Sequence, residues 1–197
     1  MNFINTHSHV YSQEFDNDRD DVIARAIELG VSKLLLPDID ASERVRMLDV
    51  ASKYPQACFP MLGVHPTSIK QNYTDELRLL DKALLNNKII AIGEIGIDLY
   101  WDKTYYNEQV IAFIYQMNLA KELGLPVVIH VRNSFDEIFK ALDTLESNTF
   151  SGVFHCFSGN LQQAIATINL GFYIGIGGVV TYKNSGLDDV VRNIPLE

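Results

Sequence analysis

Three consecutive stretches decide the fold class: "KIIAIGEIG" (88–96), "YNEQVIAFIYQMNLAKELG" (106–124) and "PVVIHV" (126–131). The outer two are short, apolar and rich in β-branched residues, a composition that predicts buried strands. The middle stretch is longer, and Gly124 supplies the stop signal of a helix. A strand, a helix and a second strand in this order form a crossover unit, so we expect the two strands to run parallel.

The same alternation continues on both sides of this unit. Further strands are predicted at residues 3–10, 31–38, 58–66, 151–157 and 172–178. Further helices are predicted at 18–30, 42–55, 75–87, 134–146, 160–171 and 186–195, with Ser42 as a candidate N-cap. The pattern predicts an α/β protein, and seven units favour a (β/α) TIM-type barrel over an open doubly wound sheet.

Chain length sets one expectation about this barrel. A complete (β/α) barrel has eight strands and about 250 residues, whereas this sequence has 197 residues. We therefore expect residues 1–197 to form a single barrel domain that holds about seven of the eight strands and is truncated before the eighth. No linker or low-complexity segment divides the chain. No GxGxxG motif follows the first strand, which argues against dinucleotide binding.

Composition narrows the classes of function. The formal net charge is −9, which argues against a broad basic surface for duplex nucleic acid, although not against action at a strand end. The sequence shows no signal-peptide pattern and no apolar run long enough to span a bilayer. Two distant cysteines suit free thiols, so we expect a cytoplasmic location. Nothing in the sequence indicates an obligate protein partner.

Five ligand-type side chains fall near the predicted carboxyl ends of four strands: His7, His9, Glu94, His130 and His155. Barrel enzymes build their active sites at that end of the strands. A single histidine there is more often structural, but independent structural histidines would not be expected at equivalent ends of several strands. Five ligands exceed what one tetrahedral ion with an open position uses. The pattern therefore predicts two divalent ions, Mg, Mn or Zn, with Glu94 as a bridge.

Five motifs resemble those of the TatD family of metal-dependent deoxyribonucleases, in order and in spacing. They are "THSH" (6–9), "GVHP" (63–66), "AIGEIGID" (91–98), "LPVVIHVR" (125–132) and "FHCFSG" (154–159). The resemblance implies an amidohydrolase-like barrel whose substrate is DNA, as a single strand or a strand end. It implies 3'-5' exonuclease action through attack of a metal-bridged hydroxide.

The resemblance also assigns ligands to the two ions. It implies that His7 and His9 hold one ion, that His130 and His155 hold the second, and that Glu94 bridges them. It further implies that His65 and Arg132 contact the substrate phosphate. The family pattern continues into an eighth strand with a Thr-Asp pair, and this sequence ends where that strand should begin.

Other residues have two open interpretations each. Asp98, the second predicted catalytic carboxylate beside Glu94, either orients a histidine ligand or caps the following turn. Arg132 either binds two phosphate oxygens or pairs with a neighbouring carboxylate at Asp136 or Glu137. His65 either donates to phosphate or hydrogen-bonds to the backbone.

Two further features stay open in the same way. Ser158 either binds an anion at a helix N-terminus or serves as an N-cap. The stretch "DLYWDKTYY" (98–106) either forms an aromatic rim for unpaired bases or packs against its own loop. Two alternative functions remain as well: hydrolysis of small-molecule amides or esters with the same ions, and an inactive metal-binding remnant.

Overall fold

The computed structural model describes residues 2–145 and 150–195, in which strands alternate with helices. The strands are β1 (Phe3–Asn5), β2 (Val31–Pro37), β3 (Cys58–Met61), β4 (Ile92–Asp98), β5 (Val127–Arg132), β6 (Gly152–His155) and β7 (Tyr173–Ile174). The helices are α1 (Arg19–Glu28), α2 (Ala41–Lys53), α3 (Tyr73–Leu84), α4 (Tyr106–Leu123), α5 (Phe135–Asp143), α6 (Leu161–Asn169) and α7 (Leu187–Arg192). Short 3₁₀ helices lie at Gln13–Phe15, Pro66–Ser68 and Gly178–Thr181.

The strands follow one another in chain order, and every described pairing is parallel. β1, β2 and β3 form one hydrogen-bonded set, and β4 to β7 form a second. A parallel bridge between Leu62 and Ile92 connects the two sets. This order, with helices between successive strands, is that of a (β/α) barrel, so the predicted fold class is confirmed. Within the described ranges, no pairing joins β1 to β7.

Several predicted boundaries were wrong; for example, the strands predicted at 58–66 and 172–178 are shorter, Cys58–Met61 and Tyr173–Ile174. The strand predicted at 3–10 ends at Asn5, because a turn closed by the Ser12 N–H and the His9 carbonyl follows. β4 extends to Asp98, so Glu94 lies inside the strand and not at its end. Asp40, not Ser42, caps α2, since its carboxylate accepts the first free amides of that helix. Of the helix predicted at 134–146, the last residue lies outside the described residues, as do the final two of the chain.

The core divides between the two strand sets. Phe113 and Met117 of α4 are fully buried against Ile95 and Ile129 of β4 and β5. A second cluster packs α1, α2 and α3 against β2 and β3, and Leu36 is fully buried in it. The two clusters bury the apolar strands that the sequence predicted, and they leave polar residues at the carboxyl ends of the strands. Among the helices described, none is long and apolar enough to cross a membrane.

Two buried glutamines of α4 hold the loops around those strand ends. The Gln116 side chain accepts from the Val64 amide at 2.7 Å and donates to the Val64 carbonyl, so it fixes the residue before His65. Gln109 makes the same pair of bonds with the backbone of Asp98. The spacing of seven residues places both amides on one face of the helix. α4 therefore positions two loops of the candidate site.

Candidate metal centre

The structure brings most of the predicted site residues together at the carboxyl ends of the strands. His7 and His9 follow β1, His65 follows β3, Glu94 and Asp98 lie on β4, His130 lies on β5, and His155 ends β6. Two groups have ligand atoms within 4.8 Å of one another, one of His7, His9 and Glu94, and one of His65, Glu94 and His130. Glu94 is common to both groups.

The first group is arranged around one oxygen of Glu94. His7 Nε2 lies 3.2 Å from Glu94 Oε2 and 3.2 Å from His9 Nε2. The other nitrogen of His9, Nδ1, lies 2.7 Å from the hydroxyl of Tyr11. That hydroxyl donates its proton to the Pro37 carbonyl, so it accepts from His9 Nδ1–H. A neutral His9 therefore presents an unprotonated Nε2 toward the centre of the group.

The second group is arranged around the other oxygen of Glu94. His130 Nδ1 lies 3.0 Å from Glu94 Oε1, and His130 Nε2 lies 2.9 Å from Asp98 Oδ2. When the imidazole is neutral and Nε2–H donates to Asp98, Nδ1 keeps a free lone pair. This is the arrangement in which a carboxylate orients a histidine ligand of a metal ion. The same carboxylate also caps the turn after β4, so Asp98 makes both contacts considered for it, one to a histidine and one to the following turn.

His65 differs from the other histidines in the nitrogen that it leaves free. Its Nδ1 accepts from the Thr67 amide at 3.2 Å and contacts the Thr67 hydroxyl at 2.7 Å. A neutral His65 therefore carries its proton on Nε2, which faces His130 Nδ1 at 3.2 Å. In this tautomer Nε2 can donate to an anion but offers no lone pair to a metal ion.

His155 lies beside the first group and outside both groups of ligand atoms. Its ring stacks on the ring of His7 with centroids 3.4 Å apart. Burial, and then the neighbouring His7, lower the pKa of His155 to about 4, so its imidazole is neutral at pH 7. The sequence predicted His155 as a partner of His130, and the structure places it in the same site without direct ligand contact.

Electrostatics at the centre suit a cation. Burial raises the pKa of Glu94, but hydrogen bonds from His130 and His7 outweigh it and hold that pKa well below its usual range. Burial lowers the pKa of His65 to about 4 and also lowers the pKa of His9. Burial also lowers the pKa of His130, but its hydrogen bonds with Glu94 and Asp98 outweigh burial and raise that pKa above its usual value. The site thus combines an ionised carboxylate with imidazole nitrogens, the ligand set preferred by divalent transition metals once His130 has released its second ring proton.

The chemistry of the donor set tests whether a metal ion fits. The ligand atoms of His7, His9 and Glu94 lie within 4.8 Å of one another, as do those of His65, Glu94 and His130. Imidazole nitrogens together with a carboxylate suit a divalent transition metal. The other nitrogen of His7, Nδ1, is buried and has no hydrogen-bond partner among the described atoms, so no contact there fixes the tautomer of His7. The residues present therefore fit a metal ion.

The two remaining predicted substrate contacts lie in different surroundings. Arg132 stacks on Tyr100, with its guanidinium carbon 4.0 Å from the ring centroid, and makes no ion pair with any described residue. Ser158 is exposed in a cleft that also includes Asp136 and Glu137. Asn160, not Ser158, caps α6.

Sequence reasoning missed four supporting residues: Tyr11, Thr67, Gln109 and Gln116. Each fixes a histidine or a loop of the site through a hydrogen bond described above. For the two glutamines a signal was available, since both interrupt the apolar face of the helix 106–124 at a spacing of seven residues. Tyr11 and Thr67 each lie two residues after a histidine of the site, which is too weak a signal to predict contact.

Together, the barrel and its histidine–carboxylate cluster define a hydrolase that depends on a metal ion. Comparison with known proteins gives the family. The sequence profile described as TatD related DNase matches residues 4–197, and the chain belongs to this family. It is a metal-dependent hydrolase, as are its relatives.

Individual relatives support this membership. The chain is 36% identical over 197 residues to the uncharacterized metal-dependent hydrolase YjjV of Escherichia coli K12, covering 98% of this chain and 75% of YjjV. It is 35% identical over 190 residues to the 3'-5' ssDNA/RNA exonuclease TatD of Salmonella typhimurium, covering 94% of this chain and 72% of that protein. The crystal structure of YjjV superposes with a TM-score of 0.89 at 35% identity, over 98% of this chain and 75% of that one.

Proposed function

We propose that this protein is a two-metal phosphodiesterase that removes nucleotides from the 3' end of single-stranded DNA. The observation that carries the proposal is the orientation of Glu94. Its Oε2 faces His7 and its Oε1 faces His130, so one carboxylate serves two neighbouring groups of ligand atoms. Two ions bridged by one carboxylate are typical of enzymes that displace an oxygen from phosphorus. The relative named as a 3'-5' ssDNA/RNA exonuclease supports the choice of substrate.

The tautomers support a division of roles among the histidines. We assign His7 and His9 to one ion, and His130 and His155 to the second, with Glu94 shared. His65 is assigned to the substrate, because its Nε2–H can donate to a phosphate oxygen. Asp98 holds Nε2–H of His130 and so keeps Nδ1 directed at the ion. Divalent ions here, Mg, Mn or Zn, would polarise the phosphoryl group and lower the pKa of water.

Arg132 has the second substrate role in this proposal. Its guanidinium is free of ion pairs within the described part of the chain, and two aromatic rings hold it in place. A guanidinium can bind two oxygens of one phosphate group. The sequence also predicts Ser158 as a phosphate contact, but Asp136 and Glu137 line the same cleft and make it unfavourable for an anion. The cytoplasmic location and the absence of an obligate protein partner stay predictions.

The test loads chelator-treated protein with Mn²⁺ or Zn²⁺ and counts the bound ions by elemental analysis. We expect about two ions per chain, and fewer in His130→Ala and in His155→Ala. His65→Ala should keep both ions but raise KM for a labelled single-stranded oligonucleotide. The ion content of His65→Ala and His155→Ala therefore distinguishes a residue that donates to phosphate from a residue that binds a metal ion.

Two results would contradict the proposal. One ion or none in folded, loaded protein would show that this chain does not form the two-metal site. Two bound ions with hydrolysis of model amides or esters, and none of DNA, would favour the alternative of a small-molecule hydrolase.

A further inference from the structure

The turn after β4 displays two large aromatic rings beside the metal centre. Tyr100 is 53% exposed and Trp101 is 68% exposed, and their rings meet edge to face with centroids 4.9 Å apart. The turn is nevertheless fixed, because Asp98 Oδ1 accepts from the amides of both residues at 2.9 and 3.3 Å. The other oxygen of Asp98 holds His130. One carboxylate thus connects the aromatic turn to the centre, and the rings do not fold back into a core.

Arg132 joins this turn from the neighbouring strand. Asp98 and Arg132 are register partners of β4 and β5. The guanidinium carbon lies 4.0 Å from the centroid of Tyr100 and 5.2 Å from that of Trp101, within the range of cation–π attraction. Because the rings leave the positive charge uncompensated, the guanidinium remains available to an anion, while its orientation is restricted.

A cleft of about 320 Å³ adjoins Trp101. Its lining comprises Thr67, Lys70, Asp98, Trp101, Asp102 and Gln109. The lining includes Thr67, the hydrogen-bond partner of His65, and Lys70, which pairs with Asp102 at 3.4 Å. The second carboxylate, Asp98, uses both oxygens in the hydrogen bonds to the turn amides and to His130, so each charged side chain of the cleft has a partner. Its volume reaches the lower end of the range for small-molecule sites, about 300–1,000 Å³.

We propose that Trp101 is the stacking platform for an unpaired nucleobase, held in this cleft, and that Arg132 binds the adjoining phosphate. The inference rests on the proposed function and deepens it by naming the base subsite. A cleft that is lined by Trp101 and whose charged side chains are already paired suits a planar uncharged base, whereas the guanidinium suits the charged backbone. A base that is paired and stacked within a duplex presents no free face to Trp101. The platform therefore selects single strands, with little preference among bases.

Trp101 is the single tryptophan of the chain, so its intrinsic fluorescence reports this subsite directly. Zn²⁺-loaded protein is titrated with a short phosphorothioate-linked oligothymidylate, which resists hydrolysis, and the titration is repeated after chelation. We expect quenching of the tryptophan emission by the single strand, and much weaker quenching by a blunt duplex of the same length.

Variants measure the contribution of the ring by anisotropy of a labelled oligothymidylate. Loss of one base–aromatic stack weakens affinity by about 5- to 150-fold, which is the range expected for Trp101→Ala. Trp101→Phe should recover much of the affinity. The matched control is Tyr173→Ala, because Tyr173 is 74% exposed at the start of β7, at the opposite end of the strands. With cleavable DNA, Trp101→Ala should raise KM and leave kcat nearly unchanged.

The outcomes separate this inference from the proposed function. If the loaded wild-type protein degrades single-stranded DNA and Trp101→Ala keeps its KM and affinity, the stacking platform is wrong and the nuclease stands. If the wild-type protein does not degrade DNA, yet the oligonucleotide quenches Trp101 and Trp101→Ala binds it weakly, the subsite stands and the nuclease fails. Absence of quenching together with equal affinities refutes the platform.

Discussion

The substitution Arg44→Met tests whether the buried ion pair of Asp38 and Arg44 stabilises the strand that carries Glu94. Asp38 is fully buried, and its Oδ2 accepts from Arg44 Nε at 2.6 Å and from the Gly63 amide at 3.3 Å. The main chain of Asp38 is hydrogen-bonded to β4, since its amide donates to the Gly93 carbonyl and its carbonyl accepts from the Glu94 amide. The pair therefore lies where β2, the end of β3 and β4 meet.

The size of the effect follows from burial. Methionine fills much of the volume of the arginine but leaves the Asp38 carboxylate without its cation, while Asp38 Oδ1 is already without a partner. Removal of one member of a buried ion pair costs about 3–5 kcal/mol. We expect a loss of that size in the free energy of unfolding at about pH 8, with weaker metal binding because Glu94 loses its support.

The loss should shrink on acidification. Burial raises the pKa of Asp38 to about 7, more than Arg44 lowers it. A carboxyl pKa raised above its unfolded value, about 3.9, means that folding takes up a proton between the two values. Stability from this group therefore falls as the pH rises through that window. Without Arg44 the pKa rises further. At about pH 5.5 Asp38 is protonated in both proteins and the loss is small, whereas at about pH 8 only the wild type holds the ionised carboxylate beside its cation and the loss is larger.

Urea unfolding followed by circular dichroism, in chelator, measures these differences. The matched control is Arg46→Met on the same helix, because Arg46 pairs with Asp16 at the surface and should contribute at most about 1 kcal/mol. The double variant Asp38→Asn, Arg44→Met removes both charges and should recover much of the loss. A loss below about 1 kcal/mol at about pH 8, or one of equal size at both pH values, would refute the reasoning.

Two further predictions concern close packing. Gly96→Ala should disrupt the pairing of β4 with β5 and lower metal binding, because its φ is 150° and an added Cβ would lie 1.9 Å from the His130 carbonyl oxygen. Gly178→Ala, which meets nothing within 4 Å, is its control, and equal stability and metal content in the two would contradict this account. Phe113→Ala should cost about 3–5 kcal/mol in urea unfolding. Its neighbour Ile111 is 51% exposed, so a similar loss in Ile111→Ala would argue against the assigned core.

The local hydrophobic pattern of the sequence was sufficient to predict the barrel, but it was not sufficient to predict where each strand ends. The helix 106–124 was recognised because its apolar face is long and Gly124, at a φ of 63°, ends it. The extent of β4 depends on β5 instead, since Gly96, Ile97 and Asp98 stay in the strand by pairing with His130, Val131 and Arg132. That pairing connects residues more than thirty positions apart. The residue types near position 96 do not indicate this pairing.

The candidate site could also be predicted only in part. Residue type and position at strand ends were enough to select His7, His9, Glu94 and His130, because the barrel brings those ends together. The ring nitrogen that His65 leaves free was not accessible from residue type alone. It depends on which ring nitrogen is occupied, and the backbone amide of Thr67 decides that through a local turn.

Two buried carboxylates show why three-dimensional context assigns function here. Asp38 and Glu94 are both almost fully buried, and burial raises the pKa of each. Asp38 has a permanent cation beside it, but few other donors, and its pKa stays raised. Glu94 has imidazoles on both oxygens, and their hydrogen bonds keep it ionised. Glu94 thus lies among His9, His65 and His155, whose pKa values burial lowers, and beside His130, whose pKa is raised despite burial by hydrogen bonds with Glu94 and Asp98. A divalent cation bound at Glu94 takes the place of the second ring proton of His130 and compensates the buried carboxylate, so metal binding should stabilise the fold.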